Sequence, residues 1–132
     1  MKLQPDPFEG VNAINACDTH QILVNQTRWT HSLLVPSTGE VVAWPVDRIE
    51  DLSREHFSSL LDRAGFVPEI VVFGSGSRMR FIPPALLVDL HARRIGVETM
   101  TTQAACRTYN LLAQERRKVL AALLLMPPSA AA

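Results

Sequence analysis

The spacing of apolar residues changes repeatedly along this chain, and each change marks an element. From Ile14 to Pro36 the texture is that of strands: "QILVN" and "RWTHSLLV" are rich in apolar and β-branched residues, with "NQTR" (25–28) as the turn between them. "PSTGE" (36–40) reads as a second turn, followed by a short "VVAW" strand. The N-terminal third is therefore expected to be a small antiparallel meander. Ahead of it, residues 1–10 hold Pro5, Pro7 and Gly10 and read as an extended arm.

The period then changes. In "SREHFSSLLDRAG" (53–65), Phe57, Leu60, Leu61 and Ala64 recur at the spacing of one helix face. Ser53 suits the N-cap, Leu52 and Phe57 sit at staple spacing, and Gly65 suits the left-handed closing position. "EIVVF" (69–73) is a continuous apolar run of strand length, as expected of a strand covered on both faces. "GSGS" ends it. "PPALLVDLHARRIG" (83–96) predicts a second helix, with Pro84 at its first position and Gly96 at its end. "VETM" is a short strand, after which Thr101 or Thr102 caps a third helix through "QAACRTYNLLAQE".

The run "KVLAALLLM" (118–126) is ambiguous. Its Ala and Leu favour a helix, which is the expectation from propensity, but uniform apolarity also fits a buried central strand. The tail at 127–132, "PPSAAA", is expected to be disordered. Strand–helix alternation in the second half implies partly parallel pairing in an α/β fold, and residues 11–126 read as a single domain.

Composition narrows the function classes. The 132 residues are 47% apolar and 20% charged, the balance of a globular protein. Lys and Arg number 13, as do Asp and Glu, so the net charge is zero and broad nucleic-acid binding is not expected. Residues 1–66 carry five basic and nine acidic side chains, a net −4, and residues 67–132 carry eight and four, a net +4. Two cysteines, Cys17 and Cys106, do not make a disulfide framework. No secretory signal and no apolar run of membrane-spanning length is read, so a cytoplasmic location is expected.

Two stretches carry candidate chemistry. In "AACRTYN" (104–110), helical spacing puts Cys106, Tyr109, Asn110 and Ala113 on one face, with Arg107 at its edge and Thr108 nearer Ala105 and Leu112. A cysteine one turn into a helix feels the positive N-terminal field, and Arg107 adds to it, so a reactive thiol or an anion site is one reading. The other is a small buried cysteine packed under Tyr109. Spacing brings none of His20, His31, His56 or His91 to Cys106 as a base. In "VVFGSGSRMR", Gly74 and Gly76 let backbone N–H groups approach a ligand, Ser75 lies between them, and Arg78 and Arg80 suit an anion. Met79 stands where a dinucleotide fingerprint needs glycine, and a plain tight turn is the alternative. No metal-ligand spacing, nucleophile elbow or cofactor motif is found, so no metal, cofactor or catalytic residue is assigned.

The segment "VVFGSGSRMRFIPPALLVDLHARRIGVETMTTQAACRTYNLLAQERR" (71–117), with Trp44-Pro45 after a hairpin, resembles the Mth-nine-three-eight-like domain family. Its eukaryotic members include mitochondrial complex I assembly factor three and an adipogenesis-associated protein. The resemblance implies a three-layer α/β fold with a central mixed sheet and a smaller N-terminal β layer. It also implies a central strand after "QERR", against the helix expected from propensity. The chain departs from the family pattern at Ser75 (often Thr), Thr101 (often Asp) and Arg116 (commonly Gly). The implied role is accessory: help in assembling a respiratory or membrane complex, through protein partners and without catalysis. The implied patch is Gly74, Ser75, Gly76, Arg107, Thr108, Tyr109 and Asn110, with Cys106 inside it. Two other readings remain open at this point: a small-ligand or anion site between the Gly74–Gly76 turn and the 102–110 helix start, and a thiol enzyme using Cys106.

Overall fold

The computed structural model describes residues 10–62 and 65–126, and there the chain builds two sheets. Strands β1 (Ile14–Cys17), β2 (Ile22–Val24) and β3 (Thr27–Trp29) form an antiparallel meander. Asn25 and Gln26 make the β2–β3 turn, both left-handed at φ 52° and 71°, with Val24 paired to Thr27. A two-residue turn of this hand matches the twist of its strands.

The meander is shorter than the sequence predicts. β4 (Leu33–Pro36) and β5 (Val42–Ala43) leave it for a second sheet, which adds β6 (Ile70–Gly74), β7 (Gly96–Met100) and β8 (Val119–Leu123) in the order β5-β4-β8-β6-β7. Burial explains the split. β4 is buried at every position, so it needs cover on both faces, whereas β3 is mostly exposed. β6 runs parallel to β7 and β8, and β4 antiparallel to β5 and β8, so the large sheet is mixed.

Three layers result. One face of the large sheet packs on α1 (Arg54–Ser58) and α2 (Val88–Ala92), through Phe57, Leu60, Leu87 and Leu90. The other packs on α3 (Thr102–Gln114) and the meander, through Ala105, Tyr109, Ile14 and Ile22. β8 lies between. Leu120, Ala122 and Leu124 enter the first core, and Val119, Ala121, Leu123 and Leu125 the second. The helix expected from propensity at 118–126 is thus overturned. A strand covered on both faces has no polar side to show a period, and its register is set by its neighbours.

The first two helices are shorter than their sequence patterns. Ser53 caps α1 as expected, in a capping box whose return arm is His56: Ser53 N–H donates to His56 Nδ1 at 3.0 Å. The helix tightens into a 3-10 turn at Ser59–Asp62. Ala64, expected on its buried face, falls outside the described residues, as do the arm up to residue 9 and the tail at 127–132. Pro84 opens a 3-10 turn before α2, but Gly96 does not close that helix; it starts β7. The left-handed closing residue is Arg94, at φ 59°. Arg94 N–H bonds His91 O at 2.9 Å and Ile95 N–H bonds Leu90 O at 3.0 Å, which turns Ile95 into the core against Leu90.

Trp44 is core, as its place beside the hairpin suggests, edge-on to Phe57 and Phe73 at 5.8 and 6.2 Å. Among the described residues no helix is long and apolar enough to cross a membrane.

Candidate functional site

The large sheet places the ends of β6 and β8 beside the start of α3. Gly74 is the contact point. A Cβ there would lie 2.8 Å from Thr102 Cα and 3.1 Å from Leu123 Cδ2, so only glycine lets the helix start this close to the strand. Thr102 then ties the three elements together. Its hydroxyl donates to Leu124 O at 2.7 Å and accepts from Gly76 N–H at 2.9 Å, while its own N–H donates to Gly76 O at 2.9 Å. Gly76 turns the chain at φ 101° to allow this. Ser75 N–H bonds Met100 O, and its buried hydroxyl donates to Arg78 O at 2.6 Å and accepts from Arg80 N–H at 3.1 Å. The Gly-Ser-Gly turn therefore spends its polar groups on the protein itself.

Thr101 is the N-cap of α3, its hydroxyl accepting from Ala104 N–H. Beyond the first turn the helix faces the meander. Tyr109 is fully buried and its phenol donates to Asn12 O at 2.7 Å, with Pro36 O at 3.2 Å. Burial pushes the phenol above its ordinary pKa. Asn110 clamps β1, accepting from Ile14 N–H at 3.0 Å and donating to Ile14 O at 2.8 Å. Cys106 is buried in the core against which Cys17 packs. Its neighbour Cys17, with burial second, raises the Cys106 thiol, while Cys106 lowers that of Cys17.

The candidates thus divide. Gly74, Ser75 and Gly76 meet Thr102, with Arg78 exposed on the loop that follows; Cys106, Tyr109 and Asn110 meet β1 and Asn12 instead. Arg107 is exposed and lies close enough to favour both thiolates, and Thr108 is half-buried. Thr102, Cys17 and Asn12 went unread in the sequence. Thr102 showed only as an alternative cap, and no local spacing signals Cys17 or Asn12, because their partners on α3 lie far along the chain. Beside Gly76 a cavity of about 220 Å³ is lined by Asp18, Thr101, Thr102, Gln103 and Met126 among others; none of its lining residues is basic. An acidic rim without a cation does not suit an anion. Among the described residues no three His, Cys, Asp or Glu side chains gather as a metal ion requires.

Comparison with known proteins agrees with this architecture. Over 96 residues the chain is 38% identical to a mouse protein named NADH dehydrogenase [ubiquinone] 1 alpha subcomplex assembly factor 3, covering 73% of this chain and 50% of the relative. The chain thus spans about half the length of the curated relatives of that name. A crystal structure of a Bordetella parapertussis protein superposes with a TM-score of 0.80 at 38% identity, covering 90% of this chain and 99% of that one. The solution structure of a Bordetella pertussis protein described as a Mth938-like domain gives 0.78 at 32% identity, covering 100% and 98%. The family model described as "Protein of unknown function (DUF498/DUF598)" matches residues 14–124, and the chain belongs to that family.

Proposed function

We propose that this chain is an accessory domain that works by protein contact in the biogenesis of a respiratory complex, its partner a subunit of the NADH dehydrogenase type. The observation that carries the reading is how the candidate junction spends its polar groups. Gly76 and Thr102 bond each other, and Ser75 bonds Met100, Arg78 and Arg80, which leaves the turn a structural joint with a loop projecting from it. The name of the mouse relative supports the complex class.

The loop supplies the contact surface. Arg78, Met79, Arg80 and Phe81 are all exposed, and Phe81 shows 76% of its surface to solvent. A ring that open gains most by burial against a second protein. Arg80 is held at 3.0 Å by Glu50, which steadies the loop, and Arg78 adds a cation at its rim. A partner face with an apolar socket and acidic rim is complementary to it.

The test is affinity capture from membrane and soluble fractions of the native cell, comparing wild type with Arg78→Glu/Phe81→Ser. Both side chains are exposed, so the variant keeps its melting temperature. Recovery of a respiratory-complex subunit by wild type and its loss in the variant is the expected result. Equal recovery by both sinks the loop as the surface, and recovery of no such subunit sinks the assembly reading.

A further inference from the structure

α3 lies across β1 in one register. Tyr109 reaches Asn12, Asn110 clamps Ile14 through both its N–H and its C=O, and one turn nearer the helix start Cys106 meets Cys17. The bonds from Tyr109 and Asn110 fix α3 against the Asn12–Ile14 segment, and Cys17 packs against the core that holds Cys106. The two cysteines are both free, and their side chains are neighbours between β1 and α3. Their exposures differ. Cys17 is half-buried at the end of β1, before the exposed Asp18, whereas Cys106 is 4% exposed inside the second core. The exposed Arg107 carries a charge that favours both thiolates.

We propose that Cys17 and Cys106 form a thiol–disulfide site that reacts with small-molecule disulfides of the glutathione type and closes into an internal bond between β1 and α3. Cys17, the sulfur a solute can reach, attacks one sulfur of the small disulfide. That S–S bond breaks, one glutathione leaves as thiolate, and Cys17 carries the other in a mixed disulfide. Cys106 sulfur then attacks Cys17 sulfur, the Cys106 proton passes to solvent, and the second glutathione leaves and is protonated. Two protein thiols have given up two electrons and two protons, and one disulfide has become two thiols. Side chains that are neighbours between docked elements need only a local approach to reach the S–S length of about 2.05 Å. The Asn110 clamp holds the helix in place for that step, and the Arg107 guanidinium favours the attacking thiolate against the opposing charge of Asp18.

The experiment treats the full reduced chain with glutathione disulfide and reads intact mass and a non-reducing peptide map. Wild type is expected to lose the mass of two hydrogens, to retain no glutathione, and to yield the Cys17 and Cys106 peptides joined, all reversed by dithiothreitol. Cys106→Ala is expected to stop at glutathione on Cys17. Cys17→Ala is expected to react at least about tenfold more slowly, its remaining thiol being buried. An unchanged wild type overturns the proposal, as does one that stops at the mixed disulfide or cross-links only between chains. The wild-type map decides alone if either variant fails to fold.

Discussion

Thr102 is the residue on which the site depends. Its hydroxyl is buried and bonds Leu124 O and Gly76 N–H, one from each flanking segment. Thr102→Val keeps the shape and strands both groups. The expected loss is about 2–3 kcal/mol, from buried polar groups left without partners. Gly74→Ala acts on the same joint by volume: its methyl would stand 2.8 Å from Thr102 Cα, a backbone atom that cannot swing aside. The expected cost is about 3 kcal/mol, as for overpacking against a rigid neighbour. Denaturant unfolding of both variants checks this. A Thr102→Val protein as stable as wild type would mean that the joint does not hold the three elements.

At the scale of elements, α2 and α3 end the same way. Arg94 and Arg116 sit left-handed at φ 59° and 63°, and the following amides reach back to Leu90 O and Leu112 O. Glycine is the residue that takes this conformation without strain. Arg94→Gly is therefore expected to stabilise the fold by about 0.5–1 kcal/mol, net of glycine's greater freedom when unfolded. A rise in the denaturant midpoint with unchanged slope checks it, and a fall would place a stabilising contact on the Arg94 side chain. The two ends also show what a sequence carries. α3 was legible because a threonine cap precedes it and Cys106, Tyr109 and Ala113 fall on one buried face. The end of α2 was misread at Gly96, because an arginine in the closing position has no local signature. β8 had no period to read, since both its faces are buried, and only the family resemblance placed it. At the site, the Gly74–Gly76 turn was legible from its glycines. The nearness of Cys17 to Cys106 was not, because it follows from how α3 docks on β1.

For the whole molecule, the titrating groups define a window of stability. Asp18 is held below its ordinary pKa by the His20 N–H, Glu50 by its own backbone and Arg80, Glu69 by Arg117, and Asp89 by Arg54. Asp18, Glu50 and Glu69 are exposed and Asp89 is half-buried, so water screens them. The sign is common to them: the folded chain resists protonation, so their contribution is present above the ordinary 3.8 to 4.5 and lost as pH falls through the lower folded values. The alkaline side belongs to buried groups. Tyr109, raised by burial, and Cys106, raised by the neighbouring Cys17 and by burial, resist deprotonation when folded. Their contributions are whole below the ordinary 10.0 and 9.0 and are lost as pH rises; Cys17, lowered, offsets part of the cysteine share. The melting temperature is thus expected to be flat between about pH 5 and 8.5 and to fall on either side. Added salt flattens the acid limb, because its ion pairs are exposed. Tyr109→Phe lowers the plateau by about 1–2 kcal/mol, through the lost bond to Asn12 O, and makes the alkaline limb shallower. An alkaline limb as steep in Tyr109→Phe as in wild type would move the cause from the phenol to the cysteine pair.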